Sequence, residues 1–330
     1  MIRSVGARRP TAAGGHRPTG TDGGRATRAG AGRSREPRLV PYAFLAPAVV
    51  LFAVFFAIPG GYAVYLSLRA SRVAGGGIGL RREQFVGLAT YRRVVTDPEF
   101  WGSLGRLVGY AGLVVPVMIG LALVFALLLD SPVVRATRFA RISIFLPYAV
   151  PGVVATLLWG FLYLPTTSPF NDLAHQIGLG PLVPLARATL TPAVANVAVW
   201  GGTGFNMVVL YTSLRAIPSE IRDAARMDGC GEWRLAVSVK LPLLVPALVM
   251  TLLFSTIATL QVFNEPMTLR PLTTAISWTW MPMLKVYRDG FVNADPYSAA
   301  AGAVLLGGAT LVLSLGAMRL VQRHLFREDR

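Results

Sequence analysis

Residues 217–246 read IPSEIRDAARMDGCGEWRLAVSVKLPLLVP, the one long stretch in the second half of the chain that mixes charges with helix formers. Pro218 sets up a turn, and Ser219 is placed to cap a helix, its hydroxyl accepting from an early backbone N–H. Glu220 and Asp223 then fall in the first turn, where negative charge suits the helix dipole. Asp228-Gly229 reads as the stop, because glycine enters the left-handed conformation that ends helices at little cost. A second amphipathic piece, 232–239, runs into Leu241-Pro242, where an apolar run begins. The stretch predicts a short helix–turn–helix between two apolar spans. Ala224 and Ala225 give it a small patch that another protein can approach closely.

The flanking apolar runs set the class. Of 330 residues, 53% are hydrophobic and only 15% charged, and mean hydropathy is +0.53; soluble domains carry about 25% charged residues. The chain therefore reads as an integral membrane protein. Its net charge of +16 would suggest nucleic acid in a soluble protein. Here the basic residues cluster at span ends and in the N-terminal tail, so topology accounts for them and no nucleic-acid partner is expected. The single Cys230 excludes an intramolecular disulfide, and a cytoplasmic loop suits it as a reduced thiol. His16, His175 and His324 lie far apart, with no metal-ligand spacing. No metal and no cofactor is expected.

Residues 1–38 hold nine Arg against Asp22 and Glu36, with almost no large apolar side chains. Such a segment cannot offset its ordering entropy, so it reads as a disordered basic cytoplasmic tail facing anionic lipid. The remainder, 39–330, reads as a transmembrane domain and divides into six apolar spans near 41–68, 107–129, 142–164, 192–214, 242–263 and 299–320. Each is long enough to cross about 30 Å of hydrocarbon. Pro47 and Pro59 in the first span are tolerable where neighbouring helices satisfy the freed carbonyls. Leu146-Pro147 and Pro151-Gly152 predict a kinked or broken third span. Gly75-Gly76-Gly77-Ile78-Gly79 reads as a flexible turn, since no strand leads into it and no helix follows. Residues 85–101 read as an amphipathic interfacial segment. An outer loop covers 166–185, an aromatic-rich outer segment 273–297, and Gly302, Gly307, Gly308 and Gly316 suit close helix packing in the last span. Six spans leave both termini cytoplasmic. That orientation puts twenty-one of the 32 Lys and Arg inside, among them Arg135, Arg138 and Arg141, as the positive-inside rule asks. The fold class is all-α, with about six transmembrane helices.

Asp223-Ala224-Ala225, Asp228-Gly229 and Leu241-Pro242 resemble the cytoplasmic loop of permease subunits of ATP-binding-cassette importers. Asp223 replaces the family's usual Glu, and Cys230 its usual small Ala or Ser. Phe85-Val86-Gly87-Leu88, Tyr91, Asp97, Phe100 and Trp101 resemble the carbohydrate-uptake branch, as do the first span and the Asn171, Leu173 and Gly178-Leu179 segment. Leu269-Arg270-Pro271 stands where that branch often has a Thr-Gly-Gly-Gly-Pro turn. The resemblance covers most of the chain from Pro41 onward. It implies a type I importer permease, multi-pass in the cell membrane of a prokaryote, that moves a sugar or sugar derivative brought by an extracytoplasmic binding protein. It further implies a second homologous permease and a cytoplasmic ATPase dimer, which docks on a coupling loop at about 215–241. The loop residues so implied, or offered by the sequence for polar contacts, are Glu220, Arg222, Asp223, Ala224, Ala225, Asp228, Gly229, Arg234 and Pro242.

The chain shows no phosphate loop with its Lys, no nucleophile elbow and no metal site, so it does not read as an enzyme, and any ATP hydrolysis is expected from another chain. Polar side chains within spans are costly unless they face the interior. Asn206, Gln261, Asn264 and Asn196 are thus candidates for a substrate pathway, with Phe263 and Trp159 as stacking surfaces for a sugar ring. Helix–helix hydrogen bonding and plain packing are the competing explanations. A different class, a stand-alone secondary transporter or channel for a small polar solute, would want ionisable residues in mid-span; Glu265 lies only at a span end.

Overall fold

The computed structural model describes residues 40–73, 81–132, 134, 136–178 and 182–325. The basic tail 1–38, the glycine run 75–79, Arg135 and Leu179 lie outside the described residues. The first described segment is a helix on its own, α1 (Val40–Phe52), with Pro47 inside it. A π-helical turn, Ala53–Ala57, leads into α2 (Ile58–Ser67). Pro59 has no N–H to give and its ring crowds the carbonyl of Phe55 four residues back. A wider turn relieves that crowding.

From Val54 onward the chain forms one compact unit. Strands β1 (Arg69–Val73) and β2 (Arg81–Phe85) pair antiparallel with Ser71 opposite Glu83. The sequence predicts no strand here; the chain is mostly helical, as expected, and this one short hairpin is a small addition to it. Five-residue strands rich in Arg, RASRV and RREQF, lack the apolar alternation that marks a half-buried strand. Tertiary bonds hold the hairpin instead, with the Tyr297 hydroxyl donating to Glu83 at 2.8 Å. Then come α3 (Ala89–Thr96) and α4 (Pro98–Asp130). Asp97 caps α4, its carboxylate accepting from Glu99 N at 2.9 Å. The helix that carries the second span thus starts before the expected 107, and Phe100 and Trp101 lie in its first turn.

Next are α5 (Thr137–Ala149) and α6 (Gly152–Tyr163), whose axes differ by 96°, the break that Pro147 and Pro151 predict. There follow α7 (Pro169–Gln176), α8 (Leu190–Arg215), α9 (Ser219–Met227) and α10 (Glu232–Leu235). A π-helical turn (Ala236–Lys240) carries α10 into α11 (Leu241–Leu260), and it stands before Pro242 as the first such turn stands before Pro59. α12 (Asn264–Leu269), α13 (Pro282–Tyr287) and α14 (Pro296–Leu325) are the last helices among the described residues. Among the described residues five helices are long and apolar enough to cross a membrane, or six if the bent α5–α6 pair is one span.

The helices α4 and α8 run side by side through two cores. Leu107, Tyr110 and Val114 meet Leu190, Val194 and Val197 in one. Farther along, Ala122, Ala126 and Leu129 meet Met207, Leu210 and Leu214 in the other. At the Pro98 end a charge network closes the unit. Lys285 Nζ lies 2.7 Å from Asp289 and 2.9 Å from Asp97, and Arg288 reaches Glu99 at 2.9 Å. Burial works against both charges, yet the partners prevail: Lys285 is held above the ordinary lysine range and Asp97 below the ordinary carboxylate range. The Asp97 contribution is present above its ordinary pKa of 3.8 and fades as pH falls through the lower folded value. The Lys285 contribution is full below 10.5 and fades as pH rises through the higher folded value. Thermal stability in detergent is therefore expected to be level between those limits with respect to this cluster and to drop outside them. Lys285→Met removes the cation shared by Asp97 and Asp289 while Arg288 still pairs with Asp289 at 3.0 Å, and it is expected to cost about 1–3 kcal/mol. An unchanged unfolding midpoint would show that the network carries no stability.

Candidate functional site

Two places on the unit gather the residues singled out above. The first is the α9–α10 hairpin. Pro218, extended at ψ 143°, occupies the cap position, so Ser219 is the first helical residue and makes no capping bond; the expected Ser219 cap is corrected accordingly. The far end follows the sequence reading. Gly229 sits at φ +80°, its N–H donates to Arg226 O at 3.0 Å, and Cys230 N–H donates to Ala225 O at 3.0 Å. Those two bonds close a helix through a left-handed residue. Arg226 clips the two helices together, 3.6 Å from Asp223 and 3.0 Å from Glu232.

The hairpin is rooted but not covered. Ile217 and Leu235 are buried at its base, whereas no residue of α9 is buried. Ala224, Asp228, Glu220 and Arg234 are exposed. Met227 is 89% and Trp233 83% exposed, large apolar groups at the tip. Pro242 stands apart, near the start of α11.

Beneath the hairpin lies a carboxylate that the sequence reading passed over. Asp130, the last residue of α4, has a side chain only 1% exposed and lies 2.7 Å from Lys240, 3.8 Å from Arg222 and 4.0 Å from Arg215. The available signal was electrostatic: an acid at a helix C-terminus opposes the dipole and needs cations nearby.

The second place is a cavity of about 540 Å³ between the two cores, lined from α4 by Tyr110, Val114 and Met118. Asn206, Gln261, Phe263 and Asn264 all line it, and so does Glu265. Both breaks in the spans border it, through Tyr148, Val150 and Gly152 at α5–α6 and Gln261–Phe263 at α11–α12. Irregular backbone at membrane depth persists only where protein or a water-filled cavity receives it. Tyr148 and Phe205 stack at 5.0 Å on its wall. Asn206 is 4% exposed, accepts from Ser255 at 3.2 Å and donates to Gly202 O at 3.0 Å, so its amide also ties α8 to α11. Gln261 and Asn264 are open to the surface. Asn196 and Trp159 are not brought to the cavity. Asn196 donates to the Tyr163 hydroxyl at 2.9 Å, and Trp159 packs on Tyr163 and Trp200.

Residues 104–327 match the family described as binding-protein-dependent transport system inner membrane component. The chain is 30% identical over 292 residues to the sn-glycerol-3-phosphate transport system permease protein UgpA of Agrobacterium fabrum, spanning 87% of this chain and 96% of that one. It is also 30% identical over 295 residues to the UgpA of Salmonella typhimurium, spanning 86% and 95%. In fold it is similar to a chain of a bacterial alginate ABC transporter solved with an alginate pentasaccharide-bound periplasmic protein. The TM-score is 0.74 at 20% identity, over 86% of this chain and 94% of that one.

Proposed function

The chain belongs to the family of binding-protein-dependent transport system inner membrane components, and on that premise we propose that it imports a sugar or sugar derivative with energy from a separate ATPase. It is a multi-pass permease subunit of a prokaryotic inner membrane. The ATPase dimer docks on the α9–α10 hairpin, on the cytoplasmic side with both termini. A second homologous permease completes the path, and the binding protein delivers cargo from the opposite side. Membrane lipid surrounds the spans.

The observation that carries this reading is the hairpin itself. Its turn is closed by two backbone bonds, yet α9 buries nothing and Met227 and Trp233 stand out into solvent. Apolar groups presented on a rigid helix suit a groove in a partner. In the cavity, the amides of Gln261 and Asn264 and the ring of Phe263 offer hydrogen bonds and an apolar face to a polyhydroxylated solute. The relatives named for sn-glycerol-3-phosphate and alginate fit such cargo. Trp233→Ala is expected to leave the bundle folded and weaken ATPase retention by at least about tenfold, since a buried interface Trp contributes about 2 kcal/mol or more. Quantitative co-purification with the ATPase measures it. Full retention in that variant would remove the hairpin from the docking surface.

A further inference from the structure

The geometry points to Asp130 as the positioning residue through which the α9–α10 hairpin is mechanically joined to the cavity, an inference that rests on the docking reading above. Three cations from three separate elements converge on this one buried carboxylate. Arg222 comes from α9, Arg215 from the end of α8, and Lys240 from the π-helical turn that opens the α11 span. The Lys240 side chain is itself only 4% exposed, so this pair is sealed inside the protein and neither charge has bulk water to fall back on.

The contacts are graded. Lys240 sits at 2.7 Å, a tight anchor, while Arg222 and Arg215 stand at 3.8 and 4.0 Å. Small shifts of α9 therefore change the Arg222 distance without breaking the Lys240 anchor. There is room for such shifts: Asp130, Arg215, Arg222, Asp223 and Arg226 line a second cavity of about 430 Å³ beside the pair.

Asp130 also ends the helix that carries Tyr110, Val114 and Met118 to the transport cavity. From Met118 to Asp130 a continuous helix spans about 18 Å at 1.5 Å per residue. The segment between is packed, with Ala122, Ala126 and Leu129 buried in the second core. A displacement of α9 felt at Asp130 is thus passed along α4 to the cavity wall, and through Lys240 to α11, whose Ser255 and Thr259 line the same wall. One carboxylate serves both routes.

The test uses the assembled complex in proteoliposomes and reads solute moved per ATP hydrolysed. Asp130→Asn strands Lys240, so a double variant, Asp130→Asn with Lys240→Gln, removes both charges and relieves the folding penalty. Coupling between sites amounts to about 5- to 150-fold, and the ratio is expected to fall at least about fivefold in the double variant while the complex still assembles. Arg222→Gln is expected to lower it less, in keeping with its longer contact. A double variant that assembles and keeps the wild-type ratio overturns the proposal, as does one that no longer assembles, since Asp130 would then serve folding alone. Absence of ATP-driven uptake in the wild-type complex overturns the importer reading itself.

Discussion

Gly229→Val is expected to cut ATP-driven uptake by about tenfold or more and to release the ATPase, with the membrane bundle still folded. Gly229 holds φ +80°, and a Cβ built on it would meet nothing within 4 Å, so the effect is conformational rather than steric. An L-residue in that conformation costs about 1–2 kcal/mol, and a β-branched one more. The chain escapes the cost by leaving the left-handed turn, which breaks the bonds from Gly229 to Arg226 and from Cys230 to Ala225. The angle between α9 and α10 is then no longer fixed. Gly229→Asn, which tolerates the left-handed region, is expected to retain most activity. Paired uptake and co-purification measurements decide the matter, and a valine variant with wild-type uptake would show that the turn geometry is irrelevant to coupling.

Gly204→Ala is expected to destabilise the bundle by about 1–3 kcal/mol, the usual cost of overpacking, and to lose uptake with it. A Cβ at Gly204 would press on the carbonyl oxygen of Ile144 and lie 2.8 Å from the Cα of Phe145. Both are backbone atoms of α5, which can yield only by moving the helix. The neighbouring Phe205 and Asn206 line the cavity together with Pro147 and Tyr148 of α5, so a wedge there deforms the cavity directly. Gly202 supplies the control, because a Cβ there meets the side chain of Met118, a flexible group that can swing away. Thermal unfolding of the two alanine variants in detergent is expected to rank Gly204→Ala well below Gly202→Ala. Equal midpoints would contradict close backbone approach of α5 and α8.

What the sequence conveys, and what it does not, follows from the range of each interaction. The spans are legible because length and hydropathy are local, and so are the stop at Asp228-Gly229 and the break between Pro147 and Gly152. The start of α4 at Pro98 is less so, since Glu99 and Arg106 interrupt the apolar run that signals a span. The β1–β2 hairpin is held by a tyrosine more than two hundred residues away, and no local pattern announces it. The rule that polar side chains in spans face the interior selects Asn206, Gln261 and Asn264, which line the cavity, but equally Asn196, which is consumed by Tyr163. It reads the cost of burial, not the partner that meets it. Asp130 escapes for the same reason, because its cations lie 85 to 110 residues along the chain.

The importer reading is tested most directly by uptake into proteoliposomes that contain the complex co-purified with this chain, ATP being supplied on the α9–α10 side and the binding protein with labelled sugar on the other. The account predicts accumulation that requires both ATP hydrolysis and the binding protein. A chain that purifies without an ATPase and moves solute along an ion gradient would contradict it and make the protein a secondary transporter.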